Sequence, residues 1–258
     1  MGDSFTEGTC DRPRPDGFPI GWSDRVANAL AQHERRRGGT LSYANLAVRG
    51  KLLDQVVSEQ LPVAATMQPT LATFHAGPND VLRRGTDFED LQTRYEAAVR
   101  DVAAISDHIV LFTAIGRAGG TGRLAQLLAD RFARFNDGVR AVAASVGATV
   151  VDLEPVEALS DRRLWDEDRL HLNESGHRHV TAAVLEALGY ADPVLLDGPV
   201  GWWRVALPPA PPSSVAQDLA ADVTWVRTHL LPWVGRRLRG RSSGDGRTPK
   251  DPVLRELT

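Results

Sequence analysis

Short apolar runs alternate along this chain with longer stretches that mix apolar and polar residues. The apolar runs predict strands, and they span residues 41–47, 70–76, 108–113 and 148–153. The mixed stretches predict helices near residues 22–36, 51–61, 87–106, 122–146 and 175–188. Short apolar strands that alternate with helices are typical of a parallel sheet covered on both faces. We therefore expect an α/β fold in the form of a three-layer α/β/α sandwich.

The pattern changes after residue 191. A stretch rich in proline, within residues 192–213, predicts a stiff linker, and an amphipathic helix is predicted from about residue 214 to residue 237. From Arg236 onward the chain is basic and rich in Gly and Ser, which favours disorder. We therefore divide the chain into a catalytic domain (1–191), a linker (192–213) and a helix with a disordered tail (214–258).

Composition narrows the classes of function. The chain has 258 residues, of which 42% are hydrophobic and 24% are charged, and its net charge of −3 gives no basic footprint for nucleic acid. The single cysteine, Cys10, excludes an internal disulfide framework and fits a reducing compartment. With no apolar run of membrane-spanning length and no signal-peptide pattern in the chain as given, a cytoplasmic location is expected. The basic tail could make a weak contact with an anionic membrane surface.

Residues that carry chemistry follow the ends of the predicted strands, where ligands bind in α/β folds. A Gly-Asp-Ser turn ends at Ser4, Gly50 follows the strand at 41–47, and Asn79 follows the strand at 70–76. Asp168 and His171 lie three positions apart after the last strand, a spacing that puts both side chains on one side of the backbone. A serine hydroxyl needs a base to remove its proton, and a carboxylate can orient that base.

Together these four segments resemble the SGNH (GDSL-type) serine esterases and lipases over about residues 2–190. The resemblance implies a flavodoxin-like fold and cleavage of carboxylic esters through an acyl-enzyme, without a cofactor. It implies Ser4, Asp168 and His171 as the catalytic residues, and an oxyanion hole made by the backbone N–H groups of Ser4 and Gly50 and the side chain of Asn79. The substrate class it implies is broad and includes small-molecule, lipid and acylated-sugar esters. The sequence leaves the oligomeric state open.

The family carries an apolar strand directly before the Gly-Asp-Ser turn, whereas this chain starts at Met1. The first strand is therefore expected to be truncated. We expect a gap in the sheet between the strand at 41–47 and the strand at 70–76, with Ser4 poorly anchored.

Parts of the sequence are also compatible with two alternative functions. Gly116, Gly120 and Gly122 follow a strand and open a helix, a pattern found in nucleotide-cofactor loops, although such a loop belongs after the first strand. A non-catalytic binding module of the same fold is the other alternative, and the intact Ser4, Asp168 and His171 argue against it. A metal site is not expected, because the chain has one cysteine and lacks a His-Glu-x-x-His pattern.

Overall fold

A parallel sheet forms the centre of the molecule. The computed structural model describes residues 1–83, 85–115, 123–210, 214–232, 235 and 242–257. Its strands β2 (Leu71–Phe74), β3 (His108–Phe112) and β4 (Thr149–Val151) are hydrogen-bonded in the order β2-β3-β4, all parallel. Strand β1 (Ser42–Asn45) lies in a second sheet, where it pairs antiparallel with β5 (Asp251–Glu256).

Helices cover both faces of the parallel sheet. They are α1 (Ser4–Glu7), α2 (Gly21–Arg36), α3 (Leu53–Glu59), α4 (Leu61–Met67), α5 (Pro78–Val81), α6 (Phe88–Ile105), α7 (Arg123–Val146), α8 (Glu174–Ala187), α9 (Pro193–Leu196) and α10 (Val215–Trp225). Single 3₁₀ turns lie at Glu157–Ser160, Arg162–Leu164 and Trp202–Arg204, and a π-helical turn at Val226–Leu230 follows α10.

The central strand β3 shows how the layers are built. Successive side chains of a strand point to opposite faces, and all four apolar side chains from Ile109 to Phe112 are buried. Val110 and Phe112 pack with residues of α2 and α8, whereas Ile109 and Leu111 pack with residues of α3, α6 and α7. The predicted three-layer α/β/α sandwich is thus confirmed, and so are its principal helices, whose bounds differ from the expected ones by a few residues.

Strand β1 departs from the prediction. We expected it in the parallel sheet, but it pairs with β5 instead and does not pair with β2. The expected gap between these two strands is occupied by Met1 and Gly2, since the Gly2 carbonyl accepts the Val48 N–H at 3.3 Å and the Met1 carbonyl accepts the His75 N–H at 3.3 Å. The amino group of Met1 donates to the carbonyl of Thr73 at 2.8 Å, and Gly2 forms a parallel bridge with His75.

The side chain of Gln60 completes the hydrogen bonding of Gly2. The Gly2 N–H donates to Gln60 Oε1 at 2.8 Å, and Gln60 Nε2 donates to the Gly2 carbonyl at 2.8 Å. A buried backbone group without a partner is costly, and this amide satisfies Gly2 as a neighbouring strand would. The expectation that Ser4 is poorly anchored is wrong, because Ser4 begins α1 and its carbonyl accepts the Gly8 N–H at 3.1 Å.

The expected disorder of the tail is wrong for residues 242–257. Strand β5 pairs with β1, and the side chain of Lys250 is fully buried just before it. The Lys250 ammonium donates to the carbonyls of Glu7, Pro19 and Ile20 at 2.6–2.9 Å and to Asp24 Oδ2 at 3.0 Å. These four oxygen acceptors offset the cost of removing the Lys250 charge from water, and they hold the segment before β5 in place.

Three further expectations concern the helix near residue 214, the basic stretch after it and the glycine loop at 116–122. Within the stretch predicted as an amphipathic helix, α10 covers Val215–Trp225 and the π-helical turn covers Val226–Leu230, and Leu219 and Val223 of its apolar series are exposed. The basic stretch at 236–241 and the glycine loop with Gly116, Gly120 and Gly122 lie outside the described residues. Within the part of the chain that is described, no helix combines the length and apolar character needed to cross a bilayer.

Replacing Lys250 tests the packing of the C-terminal segment. Lys250→Met should lower the free energy of unfolding by about 3–5 kcal/mol, because it leaves the buried Asp24 carboxylate and three carbonyls without their donor. Arg255→Met is the matched control, since it removes an ion pair to Asp251 from a half-exposed position on the same segment and should cost at most about 1 kcal/mol. Urea unfolding measures both, and equal small losses would contradict the observed burial.

Candidate active site

The Gly-Asp-Ser turn is held by the carboxylate of Asp3. Asp3 is buried, and its Oδ1 caps α1 by accepting the Phe5 N–H at 3.1 Å. Ser4 is the first residue of α1, where backbone N–H groups have no partner within the helix. Half-buried Ser4 is thereby fixed at the mouth of the cleft, with its own N–H at a helix N-terminus that favours negative charge.

The end of α1 is fixed as firmly as its start. The Thr6 carbonyl accepts from the Ser23 hydroxyl at 2.9 Å and from the Asn45 side chain at 3.0 Å. Gly8 ends the helix with φ 88°, and its Cα lies directly against Gly21, so that neither position has room for a side chain. A four-residue helix is not stable by itself, and these contacts to α2 and β1 hold it in place.

Asp168 and His171 lie on a tight hairpin that precedes α8. Trp165 pairs with Leu172 across its base, and the Asp166 N–H donates to the His171 carbonyl at 2.8 Å. Asp168 Oδ1 accepts the backbone N–H groups of Leu170 and His171 at 2.8 and 2.9 Å. The carboxylate is therefore set in one orientation by the backbone of its own loop.

The two side chains form a close pair. His171 Nδ1 lies 2.6 Å from Asp168 Oδ2, so that Nδ1 carries a proton, and in the neutral form of the ring the lone pair is on Nε2. Burial works to raise the pKa of Asp168, but the hydrogen bond and charge of His171 and the two backbone N–H groups outweigh it and lower the pKa to about 2. Asp168 is thus a carboxylate throughout the ordinary pH range.

One cleft brings the candidate residues together. Ser4, Asn79 and His171 all line it, and Asp168 lies behind His171. Its empty space, open to solvent at the mouth, is about 720 Å³. The walls are largely apolar, and their large apolar side chains are Phe5, Leu82, Ile115, Phe132, Trp165, Leu170 and Leu172. The cleft therefore joins a serine and an oriented histidine to a mainly apolar surface.

Asn79 is tied to the nucleophile segment through Asp3. It lies in α5, and its Nδ2 donates to Asp3 Oδ2 at 3.0 Å and to the Lys51 carbonyl at 3.0 Å. Both amide hydrogens are therefore directed at protein acceptors in this structure. To stabilise an oxyanion in the cleft, the amide would exchange one of these acceptors for the substrate oxygen.

Gly50 is not among the described residues that line the cleft. It adopts φ 74°, and its carbonyl accepts from the Ser242 hydroxyl at 3.1 Å. A side chain at this position would collide with the same hydroxyl. The structure thus explains the glycine by the approach of the C-terminal segment, and its part in an oxyanion hole stays a prediction.

Sequence analysis missed the contacts of three further residues near the site. His75 Nδ1 lies 3.3 Å from Asp3 Oδ1, which gives the cleft a second histidine–carboxylate pair. Burial lowers the pKa of His177, another lining residue, to about 4, so its ring is neutral. No sequence pattern announces either contact, because each depends on the sheet bringing distant residues together.

Cys10 is the third of these residues. Its Sγ lies 3.9 Å from Asp168 Oδ2, and the potential ligand atoms of Cys10, Asp168 and His171 all lie within 4.8 Å of one another. Among the described residues this is the group whose spacing could hold a metal ion. Burial raises the pKa of the thiol, however, and metal ligation needs the thiolate.

The lowered pKa of Asp168 makes its contribution to stability dependent on pH. The folded pKa of about 2 lies below the ordinary 3.8, so the stability is fully present above about pH 4 and is lost as the pH falls through about 2. Asp168→Asn should lower the free energy of unfolding by about 2 kcal/mol at pH 5–6 and by about half of that at pH 3. Urea unfolding of both proteins across this range measures the difference, and a difference independent of pH would contradict the assigned pairing.

Solved structures share this architecture. The chain resembles the acetylxylan esterase Axe2 from Geobacillus stearothermophilus with a TM-score of 0.59 and 19% identity, over 73% of this chain and 92% of that one. It resembles LAE5, an alpha/beta hydrolase enzyme from the metagenome of Lake Arreo in Spain, with a TM-score of 0.60 and 20% identity over the same shares. At these identities the likeness establishes the fold.

Sequence comparison assigns the family. No curated protein sequence matches the chain significantly. The model of the GDSL-like lipase/acylhydrolase family matches residues 1–179, which contain the Gly-Asp-Ser turn, Gly50, Asn79 and the Asp168–His171 hairpin. This match covers more than half of the chain and agrees with the fold and the cleft. The chain therefore belongs to the GDSL-like lipase/acylhydrolase family and is a carboxylic ester hydrolase.

Proposed function

We propose that Ser4 is the nucleophile, His171 its general base and Asp168 the carboxylate that orients the base. The observation that carries this proposal is the shared cleft, which Ser4 and His171 both line while Asp168 holds His171 Nδ1 at 2.6 Å. Catalytic mutants of the structurally similar acetylxylan esterase replace a serine, an aspartate and a histidine, the last two also three positions apart in its sequence. That correspondence supports the same three roles here.

The proposed reaction has two halves. In the first, His171 Nε2 removes the Ser4 proton as Oγ attacks the ester carbonyl, and then returns it to the leaving alcohol. In the second, His171 removes a proton from water as that water attacks the acyl-enzyme, and then returns the proton to Ser4 Oγ as the bond to the acyl group breaks and the acid is released. Asp168 stays ionised throughout and stabilises the imidazolium that forms in each half.

We propose that the negative oxygen of each tetrahedral intermediate is bound by the backbone N–H groups of Ser4 and Gly50 and by the Asn79 side chain. Ser4 contributes from the N-terminus of α1, and Asn79 lines the cleft beside it. Such donors act on charge that develops in the transition state, so their loss affects kcat more than substrate binding.

For the substrate we propose an ester with an uncharged acyl group. The apolar walls of the cleft favour such a group, and the carboxylates of Asp3 and Asp168 near the reacting centre oppose an anionic one. Esters of lipids, small alcohols and acetylated sugars all meet this condition. Rates on p-nitrophenyl esters of increasing acyl length and on an acetylated xylo-oligosaccharide distinguish among them.

The alternative functions receive less support. The non-catalytic binding module does not require the close Asp168–His171 pair beside a serine that the cleft contains. The nucleotide-binding alternative rested on the loop at 116–122, which lies outside the described residues. The family match favours ester hydrolysis over both.

Substitution of Ser4 tests the nucleophile. Ser4→Ala and His171→Ala should each lower kcat on p-nitrophenyl acetate by roughly 10⁴–10⁶-fold, and the double variant should lose no more than either, because the residues act as a unit. Ser160→Ala, at an exposed serine in a 3₁₀ turn, is the control and should keep full activity. Substantial turnover by a folded Ser4→Ala protein would assign the chemistry to another residue.

Asn79→Ala tests the oxyanion donor. It should lower kcat by roughly 100–1000-fold with little change in KM, since the lost hydrogen bond forms only in the transition state. Leu82→Ala provides the contrast, because Leu82 lines the same cleft with an apolar side chain and should change mainly KM. If Asn79→Ala raises KM while kcat is kept, the residue belongs to the wall of the cleft.

A further inference from the structure

Helix α10 meets the hairpin that carries Asp168 and His171. Trp225, the last residue of α10, donates its indole N–H to the carbonyl of Asp168 at 2.9 Å. The guanidinium of Arg169, the next residue of the hairpin, lies 4.9 Å from the centre of the same indole ring. Asp222, one turn earlier on α10, forms an ion pair with Arg169 at 2.6 Å. Three contacts of different kinds thus converge on two adjacent residues of the hairpin.

The conformation of Arg169 shows why such contacts are needed. Its φ is 56°, in the left-handed region that residues other than glycine rarely adopt. This residue directly follows Asp168, so its backbone conformation decides where Leu170 and His171 lie relative to the Asp168 carboxylate. An unfavourable conformation persists only where the surroundings impose it. The stacking on Trp225 and the ion pair with Asp222 hold the Arg169 side chain on α10 and so favour that backbone conformation.

These contacts come from outside the family domain. The family match ends at residue 179, and the similar structures cover 73% of this chain. The contacts also fit the sequence of α10, because Leu219 and Val223 are exposed while Trp225 is partly buried. The described side chains of α10 thus contribute little apolar packing, and their closest polar and aromatic contacts are with the hairpin.

We propose that Trp225 and Asp222 are positioning residues for the reaction: acting through the backbone of Asp168 and the side chain of Arg169, they hold the Asp168–His171 pair in its working geometry. The proposal rests on the proposed function, since it assigns α10 a part in the catalysis attributed to Asp168 and His171. The hydrogen bond from Trp225 fixes the backbone of Asp168, whose carboxylate in turn fixes His171 Nδ1. Catalytic groups must be held closely, because small displacements of the base reduce the rate steeply.

Trp225→Phe is the first test, with p-nitrophenyl acetate as substrate and the full-length chain as enzyme. The change removes the indole N–H and keeps an aromatic ring beneath Arg169. It should lower kcat about tenfold and leave KM within about twofold, because the acyl-binding walls are untouched. Trp202→Phe is the matched control: Trp202 donates a similar bond, at 2.8 Å, to the Leu196 carbonyl away from the hairpin, and its loss should change kcat less than about twofold.

Substitutions of Arg169 separate positioning from general stability. Arg169→Ala removes the stacking on Trp225 and the ion pair with Asp222, and it leaves a residue with a Cβ in the left-handed conformation. Arg169→Gly removes the same contacts but adopts that conformation readily. The glycine variant should therefore recover a large part of the kcat that the alanine variant loses. Equal losses in the two variants would overturn the proposal.

The remaining outcomes are also decisive. If Trp225→Phe and Trp202→Phe affect kcat equally, or if Trp225→Phe lowers the melting temperature without changing kcat, α10 does not position the pair. Asp197→Asn is the control for Asp222→Asn, since Asp197 forms a comparable exposed ion pair with Arg178. If Trp225→Phe and Asp222→Asn lower kcat at constant KM while Asp197→Asn leaves kcat unchanged, the proposal is supported. The proposed function is tested separately by Ser4→Ala, which should be inactive whether or not α10 contributes.

Discussion

The buried carboxylate of Asp3 is the group on which the arrangement of the site depends. It accepts hydrogen bonds from the Phe5 N–H and from Asn79 Nδ2, and His75 Nδ1 lies within reach. A buried charge is costly unless it is paired and hydrogen-bonded. The segments that provide these partners are therefore drawn together, and they are α1, the end of β2 and α5. Ser4 and Asn79 owe their common cleft to this carboxylate between them.

Residues outside the matched family domain also contact the candidate site. Residues beyond 179 reach three of the four candidate segments: Lys250 binds the Glu7 carbonyl at the end of α1, Ser242 binds the Gly50 carbonyl, and Trp225 binds the Asp168 carbonyl. Each contact is a hydrogen bond to a backbone oxygen, so each fixes chain geometry and leaves the reacting side chains untouched. The C-terminal part of the chain thus contacts the candidate segments as well as completing the small sheet of β1 and β5.

The fold and the candidate residues could be predicted because their signals are local. A buried strand such as His108–Phe112 is nearly continuous in apolar residues, and the candidate segments are short patterns in a fixed order. Strand β5 gave no such signal, because after Asp251 its residues are exposed and no alternation marks them. The burial of Lys250 could not be foreseen, since it depends on oxygen atoms from three distant segments that only the folded chain assembles. The same is true of the approach of Ser242 to Gly50 and of Trp225 to Asp168.

The most direct measurement is a crystal structure of the protein after reaction with a fluorophosphonate ester, which leaves a tetrahedral adduct resembling the intermediate. The account predicts phosphorus bonded to Ser4 Oγ, with His171 Nε2 beside that oxygen. It further predicts that the adduct's phosphoryl oxygen accepts hydrogen bonds from the Ser4 N–H and from Asn79 Nδ2, the latter having released one of its present acceptors. An adduct on another residue, or one at Ser4 whose oxygen points away from Asn79 and the start of α1, would contradict the account.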